Sequence, residues 1–332
     1  MIILGIETSC DETSISILRN GKEVLANIVS SQIDIHKEFG GVVPEIASRH
    51  HIKNIAYVLE ESLLTAQMEL KDIDAIAVTV GPGLVGALLV GVSYAKSLSY
   101  ALNIPLIPVH HISGHIAANY ISHRDLKPPF ITLVVSGGHS HVIKVEDYTK
   151  FKILARTRDD AAGEAFDKVA RVLGLGYPGG PLVSKLAEKG EATYKLPTTK
   201  FENMDFSFSG IKTAVLNIAN KEKENFRKED MAASFEENVC KVLVEHTLTL
   251  MEEENINNVA LAGGVAANRR LRELLIERTK EKGYKAYIPE LKYCTDNAAM
   301  IASAGYYNYK AGIISNDLAL NAKASINIEE GM

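Results

Sequence analysis

Two stretches of the chain share one order of apolar and polar positions. The first has an apolar run at residues 2–9, an alternating segment at 14–18 and an apolar run at 24–29. An Asn20-Gly21 dipeptide separates the last two segments, and this pair is a strong sequence signal for a tight hairpin. The pattern therefore predicts a three-stranded meander. The same plan returns at residues 131–138, 141–145 and 151–155.

Each meander is followed, after helical sequence, by a buried strand, a glycine turn and a helix. In the first half these are residues 74–83 and a helix over 85–102, and in the second half residues 258–264 and a helix from about 266 to 282. A repeat at this scale predicts two homologous α/β domains facing each other. The predicted division is 1–126, 127–310 and a tail at 311–332, with two prolines at 128 and 129 marking the join.

The second half contains further segments with the 3.6-residue period of a helix. Helices are predicted at residues 163–173, 180–188, 208–220, 229–253 and 296–310. Residues 189–205 lack this period and predict a loop or small insertion.

Composition narrows the class of protein. The 332 residues are enough for two packed domains, and 46% of them are hydrophobic. Three scattered cysteines argue against a disulfide framework or a thiolate zinc site, and they predict a reducing, cytoplasmic location.

The uncharged stretch 75–95 contains a Gly-Pro-Gly turn, which favours a buried strand and helix over a membrane span. No basic region precedes the first apolar run, so no signal peptide is predicted.

A net charge of −5 gives no overall nucleic-acid footprint. The best local candidate is the helix that carries Arg269, Arg270 and Arg272 and ends in a basic segment near Lys285. Its arginines predict RNA contacts, but the interleaved glutamates fit a solvated, ion-paired helix face at least as well.

Pairs of glycines recur where predicted strands end, at residues 81/83, 137/138, 179/180 and 263/264. Without a Cβ, such turns let backbone N–H groups approach an anion, and a following helix N-terminus favours phosphate. One turn is weak evidence because tight turns need glycine anyway. Four of them in a duplicated α/β fold predict a nucleotide bound in the cleft between the domains.

His111 and His115 follow a short predicted strand and are four residues apart. On a helix, both imidazoles would lie on one face at a separation suited to one metal ion. Asp296, in Cys294-Thr-Asp296, offers a third ligand, although an aspartate there would also serve as a helix N-cap. Without a third ligand the histidines fit a hydrogen-bonded core pair equally well.

Two further acidic groups are candidates for chemistry. Asp11 and Glu12 follow the first strand, where a carboxylate can act as a base or stay a solvated turn residue. Asp167 lies near a predicted helix start, where it would accept hydrogen bonds from ribose hydroxyls or simply follow the preference for acids in a first turn.

Together these motifs resemble the universal tRNA N6-adenosine threonylcarbamoyltransferase family in its bacterial form. The resemblance covers nearly the whole chain. It rests on residues 5–13, 40–50, 111–115, 134–139, 163–167, 176–181, 263–268 and 294–297. The family has the duplicated fold of actin, sugar kinases and chaperone ATPases, with a cleft between its two domains. Its members transfer an L-threonylcarbamoyl group from threonylcarbamoyl-adenylate to N6 of adenosine 37, in tRNAs that read codons beginning with A, and release AMP.

The resemblance also implies residue roles. His111, His115 and Asp296 would bind one divalent metal, reported as iron or zinc in relatives. The adenylate would be bound by Val134, Val135, Ser136, Gly137, Gly138, Asp167, Gly180 and Asn268. Independently of the resemblance, Asp11 or Glu12 is our candidate for assisting loss of the N6 proton. The strand over 131–135 lacks the tyrosine that adds a ligand in archaeal and eukaryotic relatives, and Ser184 stands where some relatives carry aspartate.

The implied partners are the tRNA anticodon loop, a smaller TsaB-like paralogue of the N-terminal half and a small TsaE-like P-loop ATPase, with no membrane involved. Two other functions stay open at this point. A metalloprotease would need glutamate directly after the first histidine, where this chain has Ile112. A sugar or acetate kinase would use the same fold for phosphoryl transfer to a small molecule.

Overall fold

The computed structural model describes residues 1–199, 201–315 and 318–331. Residue contacts divide the chain into two compact units. Unit 1 comprises Met1–Pro128, Val145–Lys152 and Pro289–Met332. Unit 2 comprises Pro129–Lys144 and Ile153–Ile288. Each unit is built around one five-stranded sheet.

The described residues form ten strands and ten α-helices. The strands are β1 (Ile2–Glu7), β2 (Glu12–Arg19), β3 (Glu23–Ser31), β4 (Ala75–Gly81), β5 (Leu106–His110), β6 (Phe130–Val135), β7 (Ser140–Asp147), β8 (Lys150–Arg156), β9 (Asn258–Ala262) and β10 (Lys285–Tyr287). The helices are α1 (Ile33–Lys37), α2 (Pro44–Ala66), α3 (Val85–Leu102), α4 (His111–Ser122), α5 (Ala162–Val172), α6 (Gly179–Ala187), α7 (Ser209–Glu222), α8 (Lys228–Glu253), α9 (Arg269–Glu281) and α10 (Ala298–Lys310).

The two sheets confirm the predicted duplication. The first has the strand order β3-β2-β1-β4-β5 and the second the order β8-β7-β6-β9-β10. In both, a meander supplies three strands and the later strand–turn–helix unit adds the fourth, which runs parallel to the first strand of its meander. The hairpin after β2 turns at Asn20 and Gly21, both with positive φ, as the Asn-Gly pair predicted.

Helix α10 shows where chain order and packing differ. It lies in the predicted second half, yet it packs against β1, β2, β4, β5 and α4 of unit 1. Gly5 and Gly305 allow this approach, because an added Cβ would overlap the Ala298 carbonyl at the first and the Ala77 side chain at the second. The predicted division at residues 126 and 310 describes the duplication and stays a prediction, whereas packing gives the last helix to unit 1.

Helix ends deviate modestly from the sequence-based expectations. The helix predicted from residue 266 begins later, because a 3-10 turn over Gly264–Ala267 precedes α9 and Asn268 caps the helix by accepting from the backbone N–H of Leu271. The described residues between 189 and 205 contain no helix or strand, as predicted.

The stretch 75–95 forms a strand, a turn and a helix, as expected. Helix α3 is nonetheless long and apolar enough to cross a membrane by length and composition, and only 33% of it is buried. The core helix of a soluble protein passes the same test, so this is weak evidence for a span.

Candidate metal centre and nucleotide-binding residues

The two histidines of the candidate metal centre lie on the first turns of α4. This helix starts directly after β5, and the His110 side chain caps it by accepting from the N–H of Ile112. Because His111 and His115 are one turn apart, their rings lie on one face with centroids 4.6 Å apart. Both side chains are buried.

Asp296 completes the group from the start of α10. The N-cap of this helix is Asn297, whose side chain accepts from the N–H of Met300, so Asp296 is not needed as a cap. Its Oδ1 lies 3.2 Å from His115 Nε2 and 3.6 Å from His111 Nε2. The three ligand atoms all lie within 4.8 Å of one another.

The chemistry of these donors fits a divalent metal. Neither ring nitrogen of the buried His115 has a hydrogen-bond partner among the described residues, and its 3.2 Å approach to Asp296 is an ion-pair contact without hydrogen-bond geometry. A buried polar group without a partner is costly, and a bound cation would satisfy it. Two imidazoles and one carboxylate are a common ligand set for zinc or iron that leaves coordination positions open.

Glu7, at the end of β1, contacts His111 from the side opposite Asp296. Its Oε2 accepts from Thr79 Oγ1 at 2.7 Å and lies 3.2 Å from His111 Nδ1, while Oε1 accepts from the N–H of Ser9. The Ser9 hydroxyl is 3.1 Å from the same imidazole nitrogen. Glu7 lies within the motif at residues 5–13 but has no role predicted from the sequence, although a carboxylate that ends a buried strand indicates that a partner must exist.

In the metal-free protein, the charges of Glu7, His111 and Asp296 shift the protonation equilibria of His111 and Glu7. Burial lowers the pKa of His111, but the negative charges of Asp296 and Glu7 raise it more, to about 9. Burial raises the pKa of Glu7, but the charge and hydrogen bond of His111 bring it below its usual value. The imidazolium and the carboxylate therefore stabilise each other when no metal is bound.

We predict that chelated, metal-free protein loses stability as the pH rises. The folded-state pKa of His111, about 9, exceeds its ordinary value of 6.5, so the native state binds this proton more tightly than the unfolded state. The stabilisation is complete below pH 6.5 and is lost as the pH rises through about 9. Urea unfolding should give a lower free energy of unfolding at about pH 10 than at about pH 6. In His111→Gln, the part of this decrease that comes from the His111 proton should be absent. An equal decrease in the variant contradicts the assignment.

Asp11 lies in the turn between β1 and β2, and Glu12 is the first residue of β2. Asp11 is buried, and Glu12 Oε1 accepts from Ser31 Oγ at 3.1 Å. Burial, followed by the charges of Asp11 and Asp296, raises the pKa of Glu12 well above its usual value. A carboxyl group whose pKa is raised in this way is suited to proton transfer.

The predicted nucleotide-binding residues all lie in unit 2. Val134 and Val135 end β6 with fully buried side chains, so any ligand contact from them would come from the backbone. Ser136 begins a turn in which its N–H donates to the His139 carbonyl and its side chain accepts from the His139 N–H. An added Cβ at Gly137 or Gly138 would meet no atom within 4 Å and both residues are exposed, so this turn leaves room for an anion.

Asp167 is bound to the glycine turn at the start of α6. Its Oδ1 accepts from the N–H of Gly179 at 2.7 Å, and burial raises its pKa despite hydrogen bonds from Gly179 and Gly180. Gly180 has open space where a Cβ would be, at the N-terminus of a nine-residue helix. This is an arrangement that favours phosphate.

Asn268 has structural partners in addition to its role as a cap. Its Nδ2 donates to Glu236 Oε1 at 2.7 Å and lies 3.0 Å from Ser184 Oγ, and Ser184 in turn donates to Glu236. Sequence analysis did not identify Glu236, whose place inside the long α8 carries no motif.

The basic helix α9 is largely ion-paired. Arg270 forms two hydrogen bonds with Glu237, at 2.6 and 3.1 Å, and Arg278 pairs with Glu245 and Glu281. Arg272 donates to the Ala266 carbonyl, while Arg269 is mostly exposed and lies near Glu188 and Glu273. These contacts favour the ion-paired helix face over RNA contacts.

Comparison with known proteins identifies the family. The family model of TsaD, tRNA N6-adenosine threonylcarbamoyltransferase, matches residues 23–303. A protein of that name from Caldicellulosiruptor saccharolyticus is 57% identical over 320 residues, which cover 95% of each chain. The chain belongs to this family. Another member, from Fusobacterium nucleatum, is 56% identical over 99% of both chains.

Solved structures confirm the fold. HypF, solved in a phosphate- and nucleotide-bound form, matches 93% of this chain and 46% of its own with a TM-score of 0.62 and 17% identity. The (R)-2-hydroxyglutaryl-CoA dehydratase component A of Acidaminococcus fermentans matches 94% of this chain and 98% of its own, with a TM-score of 0.56 and 18% identity. The fold is therefore that of the actin-like ATPases, as predicted. The protein is a transferase that modifies tRNA, and nothing supports the protease or kinase alternatives.

Proposed function

We propose that this transferase uses threonylcarbamoyl-adenylate as donor and adenosine 37 of tRNAs reading codons that begin with A as acceptor, releasing AMP. We further propose one divalent metal, iron or zinc, bound by His111, His115 and Asp296. The observation that carries the metal assignment is the convergence of these three ligand atoms around the unpartnered imidazole of His115. A metal held there would supply Lewis-acid polarisation of a bound oxygen.

Asp11 and Glu12 are the proposed groups that assist loss of the N6 proton. They lie where the turn after β1 enters β2, and the contribution of the Asp296 charge to the raised pKa of Glu12 supports a role near the proposed metal ligands. The raised pKa of Glu12 supports a role for this pair of carboxyl groups in proton transfer.

The adenylate is proposed to bind in unit 2 through its glycine turns. The uncrowded turns at Gly137, Gly138 and Gly180 are suited to the phosphate, and the half-buried carboxylate of Asp167 to ribose hydroxyls. Asn268, oriented by Glu236, and the backbone at Val134, Val135 and Ser136 complete the proposed contacts. Such fixed donors also stabilise charge on the departing AMP.

Asp167→Ala should weaken binding of a non-hydrolysable adenylate analogue by about 1–3 kcal/mol, roughly 10- to 100-fold, because a charged hydrogen-bond partner is lost. Calorimetry on the folded variant measures this effect. Asp167→Asn is the matched control, because its side-chain oxygen can still accept from Gly179 and preserve the turn. Unchanged affinity in both variants means that Asp167 only orders the start of α6.

A protein partner is supported by the exposed apolar surface of unit 1. Helix α3 carries exposed Val85, Leu89 and Tyr100, and α2, which packs against it, carries exposed Tyr57 and Leu64. Exposed apolar side chains on two helices that pack together would suit a protein interface. We propose that the TsaB-like paralogue binds to unit 1 through these helices, and that a TsaE-like ATPase also acts with the enzyme.

The proposed location is the cytoplasm. The tRNA substrate and three free cysteines suit a reducing compartment.

A further inference from the structure

The buried carboxylate of Glu7 is the group that the proposed mechanism leaves unused. It is fully buried at the end of β1, and its hydrogen-bond partners among the described residues belong to unit 1. Three groups face it: the Thr79 hydroxyl at 2.7 Å, the Ser9 N–H, and His111 Nδ1 at 3.2 Å. A buried carboxylate is retained only where partners compensate for its desolvation, so this arrangement is specific.

The contacts with Thr79 and Ser9 hold the Glu7 carboxylate in place, and the remaining contact is the one with the His111 imidazole. Thr79 has one hydroxyl proton and gives it to Oε2, while the Ser9 N–H occupies Oε1. An ionised carboxylate only accepts hydrogen bonds, so His111 Nδ1 must be the donor in its contact with Oε2. Ser9 Oγ, 3.1 Å from the same nitrogen, can accept from it as well.

We propose that Glu7 is a positioning residue for the metal: its carboxylate holds the proton of His111 on Nδ1, so that Nε2 is the ligand atom directed at Asp296. The inference rests on the proposed metal site. A neutral imidazole carries one proton, and a proton fixed on Nδ1 leaves the lone pair of Nε2 for the metal. Thr79, on β4, then acts through Glu7 by keeping its carboxylate in place.

The test is Glu7→Gln, which keeps the shape of the side chain. The glutamine oxygen can accept from one neighbour, but its NH2 group donates toward His111 and favours the tautomer whose proton blocks Nε2. We expect Zn²⁺ affinity, measured by competition with a chromophoric chelator, to fall roughly 10- to 100-fold. The absorption spectrum of Co²⁺-loaded protein should change as well.

Asp230→Asn is the matched control, because Asp230 is also a buried carboxylate but lies in unit 2. Its Zn²⁺ affinity should equal that of the parent. If Glu7→Gln also binds Zn²⁺ as tightly as the parent and gives the same Co²⁺ spectrum, Glu7 only holds the Ser9 turn and the inference is wrong.

A second measurement needs no variant and covers the case in which Glu7→Gln fails to fold. In Zn²⁺-loaded parent protein, nitrogen-15 NMR should show the His111 proton on Nδ1, and a proton on Nε2 would overturn the proposal. Failure of the metal site itself gives a different result, because His115→Ala would then bind Zn²⁺ as tightly as the parent.

Discussion

Replacing Asp296 with alanine should remove the metal and lower tRNA modification by about three orders of magnitude or more, while the fold survives. A metal acting as a Lewis acid supplies several kcal/mol of stabilisation, and each 1.4 kcal/mol corresponds to a factor of ten. The fold should persist because Asn297, not Asp296, caps α10. The measurements are metal content and threonylcarbamoyladenosine formed in tRNA by the complete enzyme system.

Two comparisons make this prediction decisive. Asp34→Ala removes an exposed carboxylate that pairs with Lys37, and it should leave both metal and activity unchanged. The double variant His111→Ala, His115→Ala should bind no metal at this site. If the double variant retains one metal ion per chain, the ligands have been assigned wrongly.

Gly5→Val should destabilise the protein by roughly 3 kcal/mol or more and weaken metal binding at the same time. Any Cβ at residue 5 overlaps the Ala298 carbonyl and lies 2.9 Å from Ala302 Cβ, so α10 must shift away from β1. The backbone of a helix cannot yield as a flexible side chain can. Because Asp296 directly precedes this helix, its displacement moves one ligand away from the two on α4. Chemical unfolding and Zn²⁺ titration measure the two effects.

Gly210→Ala is the control for adding a methyl group to a helix of this protein. Gly210 lies in α7, where a Cβ would meet no atom within 4 Å. Alanine there should be neutral or stabilise by up to about 1 kcal/mol. If Gly5→Val is as well tolerated as this control, the close contact between β1 and α10 is not essential.

The sequence by itself determined the secondary structure and its duplication. The period-2 and period-3.6 patterns, the Asn20-Gly21 turn and the Gly-Pro-Gly turn after β4 act over a few residues, so their outcome can be predicted without tertiary contacts. The spacing of His111 and His115 is also a local feature, because two residues that are four apart on a helix lie on the same face. The motifs also identified the family, which is a property of the sequence alone.

Only the tertiary structure decided which distant residues meet. Asp296 is far from His115 along the chain, and its competing role as an N-cap could be excluded only when Asn297 was seen to cap α10. Glu7 and Thr79 had no assigned role because their contact with His111 depends on β1 and β4 pairing in parallel next to β5. The sequence left the arginines of α9 available for RNA, whereas in the structure Arg270 and Arg278 form ion pairs with Glu237 and Glu245 on α8. The local sequence pattern determines which face of its helix or strand a side chain lies on. The residue that it contacts is determined by packing between elements far apart in the chain, and the periodicity of the sequence contains no information about that packing.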